Sequence, residues 1–274
     1  DAINEKLAAL LGTGAQEITI TDLAVHPRTR NAYISAMRGQ GAGAAPTLFR
    51  IDGTGKIDLV ALPSLKYQSV EVPNPPAANA TGRQNPRSNV ITDMGFADGR
   101  LWVAGLSNEE FGSTMWTVKY PFAGAVSATT IENYHGAHGK YETEAPGRTF
   151  VPYPLKGKGH LLAPYLCTPL VTIPVADLQD HKHVRGRTVG EFGSGNYPLD
   201  MVVYKKDGKE KLLIANSNLP FLIVDPKDVE AYEGEPLSFS IRPASDPDGD
   251  KLSYTADKLP PWLRFDPKTL SFSG

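Results

Sequence analysis

The sequence predicts an all-β protein with at least four blades of a β-propeller, followed by part of a β-sandwich module. Three near-copies of one strand pair carry this prediction: ITDLAVHPRTRNAYISAMRG (20–39), ITDMGFADGRLWVAGLS (91–107) and PLDMVVYKKDGKEKLLIANSN (198–218). Repeats of short strands, about 40 to 50 residues each, are typical of propellers, in which one repeat forms one four-stranded blade. Asp-Gly between two apolar runs is a strong hairpin signal.

The first elements of the chain are a helix, one blade and a long loop. The segment DAINEKLAALLG is amphipathic and stops at a glycine, which predicts a short helix within residues 1–14. The first blade is expected over residues 18–62. Residues 66–89 are polar and rich in proline, so they are interpreted as an extended surface loop.

A divergent fourth copy lies between the second and third copies. It reads RTFVPYPLKGKGHLLAPYLCTPL (148–170), and its expected turn is Lys156-Gly157-Lys158-Gly159. His181 and His183, a little further on, are interpreted as solvated loop residues. Each copy continues into a further strand, which completes a meander.

Composition and charge exclude several functional classes. The formal net charge of the 274-residue chain is -2, so neither nucleic acid nor an anionic membrane surface is an expected partner. The single cysteine, Cys167, excludes an intrachain disulfide and is interpreted as a buried thiol. The sequence has no run that reads as a membrane span.

Asp22, Asp93 and Asp200 occupy the same position in the three near-copies. In a propeller this position starts the innermost strand of a blade, so the three carboxylates are expected at one mouth of the central channel. They would need a cation or hydrogen-bond donors there to offset their mutual repulsion. The alternative is that each Asp caps a turn within its own blade. The other residues expected at this mouth are Arg38, Asn108, Glu109, Arg148 and Asn216.

The segment YHGAHGKYETEAPGRTF (134–150) holds the densest group of potentially reactive side chains. His135 and His138 stand next to two carboxylates, Glu142 and Glu144. Neutral imidazole and carboxylate suit zinc or copper, so a metal site at His135 and His138 is one interpretation. The other is that these side chains only pack a polar loop.

Four of these segments together resemble a family of bacterial secreted or periplasmic β-propeller-like proteins, mostly without an assigned activity. The resemblance covers about residues 18–218 and rests on DLAVHPRTRNAYISAMRGQG, ITDMGFADGRLWVAGLSNEEF, YHGAHGKYETEAPGRTFVPY and PLDMVVYKKDGKEKLLIANS. Members of that family carry further propeller sequence ahead of these blades. The resemblance therefore implies that a protein partner, or another segment of the same gene product, completes the ring.

The C-terminal segment resembles the first half of the cadherin-like, immunoglobulin-like modules of bacterial extracellular proteins. The resemblance rests on Gly234-Glu235-Pro236, the acidic turn DPDGD (246–250), Leu259–Leu263 and the final Phe-Ser-Gly. Residues 1–228 are thus expected to form the propeller-like domain and residues 229–274 a partial sandwich module. Asp246, Asp248 and Asp250 offer oxygen ligands around a tight turn, as calcium prefers. The alternative for them is a solvated hairpin turn.

The function expected from the sequence is that of a secreted or periplasmic, non-enzymatic binding or scaffold protein that uses the propeller face for recognition. No Ser-His-Asp, Cys-His or paired-carboxylate arrangement can be assembled from its motifs. The alternative is a propeller enzyme, a hydrolase or oxidoreductase, with its site at the channel mouth. Fold analogy alone does not separate these two functions.

Overall fold

The chain is nearly all-β and divides into two compact units, Asp1–Ser69 and Val70–Gly274. The computed structural model describes residues 2–78, 86–122, 124–136, 138–166, 169–191, 196–218, 221–226, 238–240, 252–256, 259, 261 and 263–273, with the backbone alone at 42 and 238–240. Within these ranges, no helix has the length and the apolar character needed to cross a bilayer.

The first unit is a four-stranded antiparallel meander with one helix. Its elements are α1 (Ile3–Leu11), β1 (Ile18–Val25), β2 (Ala32–Arg38), β3 (Ala45–Ile51) and β4 (Ile57–Leu59), with strand order β1-β2-β3-β4. The helix ends at Gly12, whose φ of 64° is the left-handed conformation that favours glycine. Leu7 of α1 packs with Ile34 and Phe49 of the sheet. Both the predicted helix and the first predicted meander are therefore present.

The second unit begins with two further meanders. Their strands are β5 (Asp93–Ala97), β6 (Arg100–Leu106), β7 (Ser113–Lys119), β8 (Ser127–His135), β9 (Lys140–Glu142), β10 (Val151–Leu155), β11 (Lys158–Pro164), β12 (Pro169–Pro174) and β13 (Lys182–Glu191). The order of the joined sheet is β10-β11-β12-β13-β8-β7-β6-β5, and β9 pairs with β8. The fourth strands of the two meanders, β8 and β13, pair in parallel. The result is a nearly closed eight-stranded sheet.

Two smaller sheets follow in the same unit. The first contains β14 (Pro198–Lys206), β15 (Lys209–Asn216) and β16 (Leu222–Val224), in that order. The second contains β17 (Ser238–Ser240), β18 (Arg264–Asp266) and β19 (Ser271–Ser273), with β19 in the middle. The predicted boundary between residues 228 and 229 lies outside the described residues, so it stays a prediction.

The hairpin turns lie where the sequence predicts them. Asp98 and Gly99 have φ values of 52° and 69°, and Asp207 and Gly208 have values of 52° and 74°. Positive φ at both central residues defines the type I′ turn that matches the twist of two antiparallel strands. In the divergent copy the turn is the pair Lys156-Gly157, because Lys158 already pairs with Leu155. The same local chemistry thus starts three meanders.

Strand β11 contributes to two cores because its successive side chains point to opposite faces of the sheet. Leu161 and Ala163 pack with Trp102 of β6 in a core enclosed by the two meanders. Leu162 points the other way and packs with Met201 of β14 in a second core. The sheet β10–β13 is therefore covered on both faces, by β5–β8 on one side and by β14–β16 on the other.

Polar side chains line the parallel contact between β8 and β13. Glu132 and Arg185 are directly opposite in the register and form an ion pair. His183 bonds Thr130 Oγ1 through its Nδ1 atom at 2.9 Å, and its ring stacks on Phe111 with centroids 4.1 Å apart. His183 therefore lies in a strand and not in the predicted loop, because it pairs with a residue far away in the sequence, although it is exposed as predicted.

Glu132 is expected to make this contact sensitive to acid. Its hydrogen bond and ion pair with Arg185 hold the pKa of Glu132 below its usual value of 4.5. A carboxylate with a lowered pKa stabilises the fold fully above its unfolded pKa, and this contribution is lost as the pH falls through the folded pKa. Replacing Glu132 with Gln should therefore weaken the pH dependence of the unfolding free energy below 4.5.

Urea unfolding at about pH 7 and about pH 3 measures this dependence. The control is Glu110→Gln, which removes an exposed carboxylate from a loop. Equal pH dependence in wild type and Glu132→Gln would contradict a stabilising role for the ion pair.

Candidate functional site

Asp93 joins two neighbouring meanders at the point where β5 begins. Its Oδ1 atom accepts a hydrogen bond from the backbone N–H of Met94 at 2.6 Å. Its Oδ2 atom accepts two more, from Thr149 Oγ1 and from the backbone N–H of Phe150, each at 2.8 Å. Thr149 and Phe150 directly precede β10. Asp93 therefore accepts a hydrogen bond within its own meander, as the local alternative expects, and its carboxylate also reaches the next meander.

Asp22 and Asp200 share the local part of this arrangement. Each accepts a 2.6 Å hydrogen bond from the N–H of the following residue, and each lies at a register shift between the first two strands of its sheet. Asp22 and Arg38 belong to the unit Asp1–Ser69, whereas Asp93 and Asp200 belong to the unit Val70–Gly274. The shared channel-mouth site stays a prediction.

The loops beside Asp93 are bonded to the segment before β5. The N–H of Asn108 donates to the carbonyl of Asn74 at 2.7 Å, and the Asn74 side chain donates to Glu109. Arg148 Nη1 donates to Asn89 Oδ1 at 3.1 Å. Sequence reasoning gave Asn74 and Asn89 no role, because both lie in a segment interpreted as a plain surface loop.

Asn216 lies at the end of β15, opposite the start of β14. Its side-chain amide donates to the carbonyl of Ile214 in its own strand at 3.3 Å. The structure therefore assigns Asn216 a local contact and places Asn108, Glu109 and Arg148 at the end of the sheets where β5 begins.

His135, His138 and Glu142 form a compact cluster where β8 turns into β9. Each offers one ligand atom, and these atoms all lie within 4.8 Å of one another. Glu142 Oε2 lies 3.0 Å from His135 Nδ1, and Glu142 Oε1 bonds His138 Nδ1. Because an ionised carboxylate only accepts hydrogen bonds, each Nδ1 atom carries a proton in this arrangement. Of the two carboxylates near His135 and His138 in the sequence, Glu142 and Glu144, the structure brings Glu142 into the cluster.

Burial holds the first of these histidines rigidly. The His135 side chain is 1% exposed, whereas that of His138 is 51% exposed. Among the described residues, His135 Nε2 has no hydrogen-bond partner, so the ring is held by its packing and by the contact of its Nδ1 atom with Glu142. Burial by itself would raise the pKa of Glu142, but hydrogen bonds from the two imidazoles outweigh this effect and hold the pKa below 4.5.

The cluster lies at the same end of the sheets as Asp93. In an antiparallel meander the first and third strands begin at the edge where the second and fourth strands end. His135 ends β8, and Glu191 ends β13 beside it, where Glu191 accepts a hydrogen bond from the N–H of Gly136. A cleft of about 250 Å³ opens next to Glu142; it is lined by Lys140, Tyr141, Glu142, Thr143, Glu144, Ala145 and Leu166.

Several predicted residues lie outside the part of the chain that the structure describes. They are Cys167 and the three expected calcium ligands Asp246, Asp248 and Asp250. The calcium site stays a prediction.

Comparisons with known proteins identify one region of the chain. Residues 220–274 match the family He_PIG, described as "Putative Ig domain". The C-terminal region is therefore similar to an Ig-like module, as the sequence predicts. No curated protein sequence matches the chain.

Among solved structures, the chain is similar to a GH43 glycoside hydrolase whose active site was engineered to give both endo-xylanase and exo-arabinofuranosidase activity. The TM-score is 0.39 at 12% sequence identity, and the match covers 76% of this chain and 38% of that protein. This chain therefore spans well under half the length of that hydrolase. At this level of similarity, the hydrolase's activity carries no weight for the function of this chain.

Proposed function

We propose that the chain is a section of a β-propeller and acts as a secreted or periplasmic, non-enzymatic binding or scaffold protein. The repeated meander supports the propeller, because three sheets of one design pack face to face in the order of the sequence. The parallel pairing of β8 with β13 supports it as well. Two copies of a meander related by a rotation about a common axis run their fourth strands in the same direction.

A partly exposed apolar row on the described strands of the last of these sheets carries the proposal. Val202, Leu213 and Ile223 are neighbours across β14, β15 and β16. They lie on the face opposite the second core, because Leu212 and Ile214 point into that core. Val202 is 37% and Ile223 is 60% exposed.

The partner that fits this row is a further β-sheet with an apolar face. A neighbouring sheet covers each of the two faces of β10–β13, and we expect the same of β14–β16. Exposed apolar rows on sheets are uncommon in monomeric proteins and mark binding surfaces. Binding of such a sheet would extend the stack by one blade.

The end of the sheets where β5 begins is the proposed recognition surface. Loops from consecutive meanders meet there, and two hydrogen bonds, one that Asp93 accepts from Phe150 and one that Arg148 donates to Asn89, join them. Asn108 and Glu109 are exposed at this end. A rigid scaffold that presents exposed polar loops is the usual arrangement for recognition.

Lysine substitutions in the apolar row test the proposal. In isolation, a second copy of the chain is expected to take the place of the partner sheet, so the wild type should associate. The double variant Val202→Lys/Ile223→Lys should remain folded, because both side chains are exposed, and it should lose the association. Sedimentation equilibrium measures the mass, and circular dichroism monitors the fold.

The matched control is Tyr67→Lys, which places a lysine at a loop side chain that is 84% exposed. This variant should associate as the wild type does. Association that survives in the double variant would refute the assignment of the row as the binding surface.

One observation favours the alternative function, an enzyme with its site at the same end of the sheets. The cluster of His135, His138 and Glu142 adjoins a cleft that a small substrate could enter. A hydrolase of this kind would need a bound metal to activate water. Zinc titration of the chain therefore also tests whether this alternative has a metal site.

A further inference from the structure

We propose that His135, His138 and Glu142 bind a divalent transition metal of the zinc class, with an open coordination position toward the cleft beside Glu142. This proposal goes beyond the binding or scaffold function and does not depend on it. Without a metal, the same three side chains form a hydrogen-bonded bridge within the β8–β9 hairpin.

The chemistry of the donors selects the class of metal. Two imidazoles and one carboxylate suit zinc and its neighbours in the transition series, which accept mixed nitrogen and oxygen ligands. Calcium and magnesium prefer oxygen ligands alone, and more of them. Three protein ligands leave the fourth position of a tetrahedral zinc ion for water or a ligand. Glu142 belongs both to the cluster and to the lining of the cleft, so this position can face the cleft.

The spacing of the donor atoms is close to that of a metal site. Ligand atoms around tetrahedral zinc are about 3.3 Å apart, as bond lengths of about 2.0 to 2.1 Å require. His135 Nδ1 and Glu142 Oε2 are already 3.0 Å apart. The widest separation in the cluster is under 4.8 Å, so the remaining adjustment is small.

The buried and the exposed ligands are arranged so that this adjustment is easy. His135 is buried on β8, and Glu142 is held on β9 by the pairing of Glu142 with Asn133. His138 lies in the exposed turn between these strands, where its ring can rotate toward an ion. Two ligands on paired strands and one on their turn form a preorganised site that closes on the ion.

Zinc titration of the chelator-treated full-length chain tests the proposal. Isothermal titration calorimetry should show one zinc ion per chain. His138→Gln and Glu142→Gln should each weaken zinc binding by about tenfold or more. Loss of a side chain that only hydrogen-bonds to a ligand already costs about that much affinity, and loss of a ligand itself should cost at least as much. The control is His181→Gln, which removes a histidine that is 90% exposed and also lies beside a carboxylate, that of Asp180. Its affinity should equal that of the wild type.

Cobalt substitution gives an independent readout in the unmodified chain. Bound Co²⁺ should show the visible absorption of a four- or five-coordinate ion with nitrogen ligands, and this absorption should be absent in His138→Gln. Because His138 is half-exposed, this variant should stay folded, which its thermal unfolding checks. The proposal is overturned if the folded wild type binds no zinc, or if His138→Gln and Glu142→Gln both bind it as tightly as the wild type. Either result leaves the association of the apolar row, measured by sedimentation, unaffected.

Discussion

Replacing Leu161 and Leu162 together with alanine is expected to unfold the unit Val70–Gly274. Both leucines are 0% exposed, and they point into different cores on opposite faces of β11. Each truncation leaves a cavity and should cost about 2 to 5 kcal/mol. The two leucines belong to different cores with no member in common, so each substitution removes packing that the other leaves in place. The sum of the two losses is comparable to the whole stability of a typical domain, about 5 to 15 kcal/mol.

The single variants show whether both faces of this sheet are buried. Urea unfolding should give a large loss for Leu161→Ala and also for Leu162→Ala. The control is Val202→Ala on the uncovered face of β14, which should cost less than about 1 kcal/mol because that side chain is partly exposed already. A large loss of stability in only one of the two leucine variants would contradict the burial of β10–β13 between β5–β8 and β14–β16.

Gly105→Ala is expected to destabilise the fold strongly. A Cβ atom at this position would lie 1.8 Å from the carbonyl oxygen of Val90 and 2.6 Å from its carbon. Both are backbone atoms, so no side-chain rotation can relieve the overlap. Either the strand or the segment before β5 must move, which should cost about 3 kcal/mol or more.

Gly159→Ala is the matched control for this prediction. Gly159 is also a strand glycine, in β11, but a Cβ atom there would lie 3.6 Å from Val175, at ordinary contact distance. Thermal unfolding should show a large drop for Gly105→Ala and little change for Gly159→Ala. Equal melting temperatures in the two variants would show that Val90 does not pack on β6 in this way.

Local features of the fold could be predicted because they depend on a few adjacent residues. The Asp98-Gly99 and Asp207-Gly208 turns follow from the backbone freedom of Gly and Asp, and the helix end at Gly12 follows in the same way. The parallel pairing of β8 with β13 could not be predicted, because it joins strands about fifty residues apart and no local pattern marks it. The location of His183 was mispredicted for that reason.

In the candidate sites, too, contacts within one hairpin could be predicted from the sequence, and contacts between distant residues could not. The positions of His135 and His138 beside Glu142 and Glu144 left a metal site and a packed polar loop as alternatives, and the structure brings Glu142 to the histidines because the hairpin folds β9 back onto β8. The hydrogen bonds of Asp93 to Thr149 and Phe150 join residues more than fifty positions apart. The repeat showed that Asp93 holds an equivalent position, but it carried no information about the neighbouring meander.

Native mass spectrometry of the unmodified chain tests most directly whether the apolar row of Val202, Leu213 and Ile223 binds a further sheet. The proposed function predicts assemblies heavier than the 29.6 kDa of one chain, because a second copy would cover the exposed side chains of Val202 and Ile223. These assemblies should dissociate in Val202→Lys/Ile223→Lys. A stable, well-folded monomer of 29.6 kDa at every concentration tested would contradict the proposal.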